Sequence, residues 1–401
     1  MVGKREHVQS SRAPWFLLGV ATFSQIGMSF AQQGVAVLAV FIRRSFHLTL
    51  AEMGLLVSAM SLGVVTGQVL SGLVIDRRGP RWVLFWSTLG AVVLACLLRF
   101  AASFASWLVG LGLLGVALAG VPSSGTRAIF GAFHQRLRGL VMGIRQTGVP
   151  VGSALAAALL PILAAALGPN RVWPLVAALL AVSGVLFVWA MPRWRPAGRS
   201  DGSGSLSGMW GPLLLAPIMV SGQYSALTFI IPDLHAREGW SLGAAGLALA
   251  VIQIGGGMGR IAMGWWSDRI RRRGPVIAGL AVLASAMTFV VAFMPGGTPP
   301  LVILPVLWLL GVGAVGWNGL SLTWAGERVG SGRAGQAMSW TGSAAFLGSA
   351  VYPPVFGLVV DRTHEYAEAW ALLGVWLFGG ALVAALLSVA ERRGRIPEAR
   401  P

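Results

Sequence analysis

Twelve stretches of this 401-residue chain stay mostly apolar for about 20 residues or more, with short polar connections between them. They run over roughly 15–42, 51–75, 82–103, 106–131, 140–166, 173–191, 209–233, 242–266, 275–294, 300–324, 335–360 and 369–390. A helix needs about 20 residues to cross a hydrocarbon core of about 30 Å. A backbone in lipid must also satisfy its own hydrogen bonds, which leaves helices or a closed barrel. The alternating ten-residue segments of a barrel are absent, so twelve transmembrane α-helices are expected. Composition agrees, with 56% hydrophobic and only 11% charged residues. The first stretch, at about 28 residues, is longer than a signal-peptide core and is expected to remain as a membrane anchor. The expected class is an all-α multi-pass protein of the cell (inner) membrane, with the lipid bilayer as its surroundings.

The net charge of +17 does not indicate a nucleic-acid partner, because the basic residues lie in short connections and no basic module is present. Topology accounts for them, since cytoplasmic loops carry an excess of Lys and Arg. The termini and the even-numbered connections hold 21 of the 30 basic residues, whereas the odd-numbered connections hold five: Arg43, Arg44, Arg171, Arg237 and Arg362. Both termini are therefore expected to be cytoplasmic. Cys96 is the single cysteine, and His7, His47, His134, His235 and His364 have no metal-ligand spacing. No metal or other cofactor is expected. With no nucleophile–base pairing or nucleotide loop, no enzyme activity is expected either.

The chain repeats itself. Gly72-Leu-Val-Ile-Asp76-Arg77-Arg78-Gly79-Pro80-Arg81 closes the second apolar stretch, and a related basic hairpin at 264–275 closes the eighth, 192 residues later. At that offset Leu50, Gly54, Gly63, Gly67, Gly72, Asp76 and Arg77 fall on Leu242, Gly246, Gly255, Gly259, Gly264, Asp268 and Arg269. An offset of 196 places Gly139, Met142, Gly152 and Ser153 on Gly335, Met338, Gly348 and Ser349. Two six-helix units are expected, 1–191 and 209–401, joined by a flexible, Gly/Ser/Pro-rich cytoplasmic linker over 192–208.

On these residues the chain resembles the major facilitator superfamily, particularly its bacterial members, over nearly its whole length. Gly72, Asp76, Arg77, Gly79 and Arg81 match the superfamily's Gly-x-x-x-Asp-Arg-x-Gly-x-Arg signature. Gly143-Ile-Arg145-Gln-Thr-Gly148-Val-Pro150-Val-Gly152 is similar to its Gly/Pro-rich fifth helix. The resemblance implies two pseudo-symmetric halves and alternating access to a substrate near the midplane. It also implies a cytoplasmic gate built on Gly72, Asp76, Arg77, Gly79 and Arg81, with Asp268 and Arg269 in the second copy. Asp76 is then expected to pair with Arg136 or Arg138 and with the start of helix eleven near Gly335, where a helix N-terminus favours a carboxylate. Pro150, Pro353 and Pro354 are expected to bend helices five and eleven. The glycines of helices two and eight are read as packing contacts. Trp15, Trp82, Trp107, Trp173, Trp240 and Trp370, near the ends of stretches, are read as interfacial anchors.

Charge in hydrocarbon is expensive and marks function. Arg260 precedes Asp268 by eight residues, which places it about 12 Å inside the membrane at 1.5 Å per residue. Its repeat counterpart is Gln68. Arg127 is expected at a similar depth and Arg145 at a shallower one, while the acidic residues fall in loops, termini or the ends of stretches. An anionic substrate would supply the missing charge, and arginine suits a carboxylate. Arg260 is therefore the expected anchor, helped by Arg127, in a cavity lined by Ser29, Gln32, Gln223, Tyr224, Trp317 and Asn318. The alternatives for Arg260 are snorkelling toward the cytoplasm or pairing with Asp268. The segment Gly259-Arg260-Ile-Ala-Met-Gly264 also resembles helix eight of the monocarboxylate and oxalate/formate branches, where an arginine contacts the substrate. The helix-one signature of the monocarboxylate branch and the Gly/Asn-rich signatures of nitrate carriers are missing. The expected function is secondary transport of a small organic anion, with protons as a candidate coupling ion and the chain acting as a monomer. The alternative is drug or metabolite efflux.

Overall fold

The computed structural model describes residues 13–133, 138–191, 206–270, 272–329 and 334–392. Its regular structure is helical, and twelve spans are long and apolar enough to cross a membrane: Pro14–Phe46, Leu50–Ile75, Pro80–Leu98, Phe104–Ile129, Val141–Leu167, Pro169–Ala190, Trp210–Glu238, Leu242–Ile270, Arg273–Ala292, Pro300–Val329, Ala337–Thr363 and Tyr366–Ala390. They are called spans 1 to 12 below. The expected linker lies outside the described residues as far as 205, and its end forms a short 3-10 turn, Leu206–Met209.

Local chemistry sets the span ends. Thr49 caps span 2 by accepting from the Glu52 N–H while the Glu52 carboxylate accepts from the Thr49 N–H at 2.8 Å, a reciprocal capping box. Pro80, Pro169 and Pro300 occupy first turns, where a missing N–H costs nothing. Gly79 turns the first hairpin at φ 84, a conformation open to glycine and strained for other residues. Three spans are interrupted: span 4 after Leu118, span 5 at Thr147 and span 10 at Gly316 and Trp317. In span 5 the cause is Pro150, which cannot donate to the carbonyl of Gln146. The Thr147 N–H tightens to share Gly143 and Ile144. Pro353 and Pro354, by contrast, lie inside one unbroken helix, Ala334–Thr363.

Spans 1 and 7 form the centre, with 94% and 83% of their most apolar windows buried against 33% in span 3 and 39% in span 12. Within the first six spans the main contacts are 2 with 4, 1 with 5 and 3 with 6; within the last six they are 8 with 10, 7 with 11 and 9 with 12. Between the two sets, span 2 packs on span 11 and span 8 on span 5. The repeat extends to single atoms. A Cβ at Gly63 would overlap the Gly112 carbonyl and one at Gly255 the equivalent Trp308 carbonyl, while Gly115 meets the Met60 carbonyl and Gly311 that of Ile252.

Two expectations fail. Trp107, Trp173 and Trp370 are fully buried rather than anchored at an interface, although Trp15 and Trp82 are exposed. The indoles of Trp107 and Trp173 pack together at 6.1 Å. Span 7 continues to Glu238, so Asp233, expected at a span end, lies inside the helix and is fully buried. The helix can continue because Asp233 is neutralised by Arg237 one turn on, at 2.5 and 2.7 Å, and accepts from the Trp370 indole at 2.9 Å.

Gly115→Ala and Gly311→Ala are expected to destabilise the detergent-purified protein by about 1–3 kcal/mol each, since neighbouring backbone must move. Gly72→Ala and Gly264→Ala, where a Cβ would meet nothing within 4 Å, are expected to leave thermal unfolding unchanged.

Candidate functional site

A row of polar side chains on span 1 faces span 5. Gln25 accepts from the Arg145 guanidinium at 2.8 Å, Ser29 donates to the Val149 carbonyl at 2.8 Å, and Gln33 accepts from Ser153 at 3.0 Å. All three rungs join residues 120 apart in sequence, so the two helices run parallel and in register. Ser29 is therefore committed to packing. Arg145, expected to be shallow, is 1% exposed. It also donates to Thr126 and to the Pro122 carbonyl, both at 3.4 Å, and its guanidinium lies where a Cβ on Gly125 would go.

The same polar face of span 1 also meets span 7. Gln32 donates to the Tyr224 phenol at 3.3 Å, and both side chains are buried. The residues are 192 apart, which is the repeat offset, so the contact straddles the two-fold axis relating the halves. Gln223 is buried beside it with its carbonyl oxygen lacking a partner, and Ser221 bonds back to its own helix at Ile218.

Arg260 enters this centre from span 8. Its Nε–H donates to the Val315 carbonyl at 3.1 Å, the last residue before the interruption in span 10, where a helix C-terminus favours a cation. Nη2 is buried and has no partner among the described residues. Arg260 and Tyr224 are close enough to interact electrostatically. Asp268 pairs instead with Arg273 at 2.5 Å, and Arg273 also holds Glu327 at 3.0 Å. This removes pairing with Asp268 as the role of Arg260, and the Val315 bond opposes snorkelling. Trp317 fills the interruption, buried, with its indole N–H on the Ala314 carbonyl at 3.0 Å. Asn318 begins the next helical segment and is half-buried, and Arg127 is exposed on the second segment of span 4. Gln68, the counterpart of Arg260, accepts from Ser343 of span 11 at 3.0 Å. One copy of this position thus joins the halves, while the other keeps a charged edge unused.

On the face opposite the hairpins the halves are pinned together. Asp361, ending span 11, accepts from the Leu50 and Ala51 N–H groups at 2.9 and 2.7 Å, placing its carboxylate on the N-terminus of span 2. Ser58 donates to the Ala350 carbonyl and Ser349 to Ser61. Gly54 sits against Pro353 and Pro354, and its counterpart Gly246 against Ala157 and Pro161. Toward the hairpins Gly72 and Gly264 have open space around them, and Arg77, Arg81, Asp268 and Arg269 are exposed. The side chains of Asp76 and Arg138, and residue Arg136, lie outside the described residues.

The family model of the Major Facilitator Superfamily matches residues 21–353 and 213–399. This chain belongs to the major facilitator superfamily. The uncharacterized MFS-type transporter Rv2994 of Mycobacterium tuberculosis is 33% identical over 355 residues, covering 86% of this chain and 78% of the relative. The probable nitrate/nitrite transporter NarK2 of the same organism is 27% identical, covering 95% and 97%. The 3-(3-hydroxy-phenyl)propionate transporter of Escherichia coli K12 is 25% identical, covering 65% and 66%. Among solved structures, a bacterial homolog of the human lysosomal transporter Spinster, inward-facing and unoccupied, superposes with a TM-score of 0.73 at 16% identity, covering 95% of this chain and 96% of that one; it shows the fold. As a member of the superfamily the chain is a multi-pass membrane protein and a secondary transporter rather than an enzyme.

For this transporter the sequence placed Arg145 at a shallow depth on helix five without its partners, and passed over Asp361. Gln25, Ser29 and Gln33 at four-residue spacing, repeated by 145, 149 and 153, were the available signal for the first. Arg145→Ala removes three hydrogen bonds and leaves the Gln25 carbonyl unpaired. It is expected to lower thermal stability by about 2–4 kcal/mol without any ligand present. Asp361→Asn weakens a charge–helix contact worth about 1 kcal/mol. In a Cys96→Ser background, spin labels at Ser45→Cys and Arg362→Cys are expected to show a longer-distance population enlarged about fivefold. An unchanged distance distribution would remove the pinning role of Asp361.

Proposed function

We propose that this transporter moves a small organic anion, and that the Arg260 guanidinium anchors it at the centre between the halves. The observation that carries the reading is the state of that side chain. One edge of the guanidinium is fixed by Val315, and Nη2 is buried without a partner, a costly arrangement unless an anion completes it. Fixing Nε also orients the fork, and an oriented arginine fork matches a carboxylate in two parallel hydrogen bonds. Among the described residues the fully buried carboxylate is Asp233, already committed to Arg237 and Trp370, which leaves the substrate as the source of negative charge. Gln32, Tyr224 and Gln223 supply neutral donors and acceptors nearby, and Trp317 with Asn318 forms the wall on the span 10 side. The relatives named for nitrate/nitrite and for a phenylpropionate transport anions, which supports the class and not the individual compound.

Alternating access is the proposed mode of transport. Opening the face that Asp361 holds requires the span 2–11 and span 5–8 seams to part while the hairpin face closes. Asp76, Arg77 and Arg81, with Asp268 and Arg269, are the proposed gate residues there, and Arg136 and Arg138 are the proposed partners of Asp76. The proton is the proposed coupling ion and the monomer the proposed unit.

The test is a thermal-shift screen of purified protein against lactate, pyruvate, 3-phenylpropionate and nitrate, with tetraphenylphosphonium as a lipophilic cation. Stabilisation by a carboxylate, lost in Arg260→Ala while the unliganded melting temperature is kept, is the expected result. Uptake of that carboxylate into proteoliposomes is expected to fall at least about tenfold in Arg260→Lys, because an ammonium keeps the charge but loses the fork. Stabilisation by the cation alone would overturn the anion reading and favour efflux of lipophilic compounds.

A further inference from the structure

A second concentration of unpaired positive charge lies far from Arg260, on the pinned face. Arg43 and Arg44 end the first span's helix there, and with His235, Asp361, His364 and Tyr366 they line a cleft of about 330 Å³. The volume falls in the range of small-molecule sites, roughly 300–1,000 Å³. Both halves contribute, since Arg43 and Arg44 belong to span 1 and the other four residues to spans 7, 11 and 12 or their ends. The cleft therefore exists in the arrangement where this face is pinned.

Its charges do not cancel. The side chains of Arg43 and Arg44 make no hydrogen bond or ion pair among the described residues, and Arg43 Nε is buried with no partner. Asp361 is the one carboxylate in the lining, and both of its oxygens are held by the Leu50 and Ala51 N–H groups of span 2. His235 is fixed by its Nδ1, 2.7 Å from the Trp240 carbonyl, so Nδ1 carries the proton and cannot accept from a neighbouring arginine. Arg43 is half-buried and Arg44 exposed, and a half-buried guanidinium with a buried, unpartnered Nε beside an occupied carboxylate is incomplete without an anion.

We infer that this cleft is a second anion site, in which Arg43 and Arg44 hold a small soluble carboxylate on the closed face of the transporter. The cleft's preference for an anion stands on its own lining; that this anion is the transported one rests on the Arg260 reading. Arginines in a concave, low-dielectric mouth raise the local concentration of an anion. The occupant would wait at the seam that must part to admit it, so the two sites would be loaded in sequence rather than in competition. A lipid phosphate carries the same charge, and the test below separates the two sources.

The test uses the full-length protein in phosphatidylcholine nanodiscs, titrated with 3-phenylpropionate by ligand-observed NMR. The proteins compared are the parent, Arg260→Ala, the pair Arg43→Gln and Arg44→Gln, and all three changes together. The parent is expected to show two classes of site, Arg260→Ala to keep the outer one, and the glutamine pair to weaken that residual binding by about tenfold or more. Arg43→Lys with Arg44→Lys, which keeps the charge, is expected to restore part of it and so separates lost charge from lost folding. Residual binding that persists unchanged in the triple variant overturns the cleft site. Loss of all binding in Arg260→Ala alone also overturns it while leaving the central site standing. If instead the glutamine pair abolishes binding and Arg260→Ala does not, the cleft stands and the central reading falls. If one quarter phosphatidylglycerol removes the residual binding of Arg260→Ala, a lipid headgroup is the occupant and the soluble-carboxylate proposal is overturned.

Discussion

A bilayer offers its helices no gain from hiding apolar surface, because lipid tails are as apolar as leucine; what holds spans together is close backbone approach and hydrogen bonds between helices. The arrangement of all twelve spans depends on that constraint. Spans 2 and 4 approach closely because Gly63 and Gly115 leave room for the carbonyls of Gly112 and Met60, and spans 8 and 10 do the same through Gly255 and Gly311. Each half gains a rigid pair of helices from the same device. The seam between halves uses the same device, with Gly54 on Pro353 and Pro354, Gly357 on the Leu50 carbonyl and Gly246 on Ala157 and Pro161. A carboxylate on a helix end then adds a charge-assisted contact on the span 2–11 seam, where both helices end.

The two central arginines differ in how many acceptors their guanidinium groups meet. Arg145 donates to three acceptors from spans 1 and 4 and is 1% exposed, with its Nε buried and unpartnered among the described residues. Arg260 has a single acceptor, supplied by the interruption in span 10, and an edge with nothing opposite it. The number of acceptors depends on which helices lie alongside each guanidinium.

Much of the fold was legible because hydropathy and the repeat are local or periodic signals. The spans follow from apolar length, and the offset of 192 connects Gly54 with Gly246, Gly63 with Gly255 and Gln68 with Arg260 before any helix is placed. Contacts between distant helices were not legible. A tryptophan near the start of a span reads the same whether its helix faces lipid or a neighbour, so Trp107, Trp173 and Trp370 were misplaced. Asp233 looked like the end of a span because its partners are Arg237 one turn on and Trp370 from span 12. Asp361 gave no sign of its role, since the N–H groups it accepts from are more than 300 residues away. Ser29 was chosen for polarity in an apolar helix, a criterion that a helix-to-helix bond satisfies as well as a cavity does.

The bond between Gln32 and Tyr224 has one more consequence. In a symmetric pair of identical halves, the position on the axis would face its own copy, and a side chain facing itself has the same donors and acceptors on both sides. Fusion of the halves into one chain frees the two copies to differ. Here one contributes an amide and the other a phenol, so the centre has acquired a direction across the axis that an identical pair could not possess. The two sides of that point therefore present unlike groups along the line joining the halves.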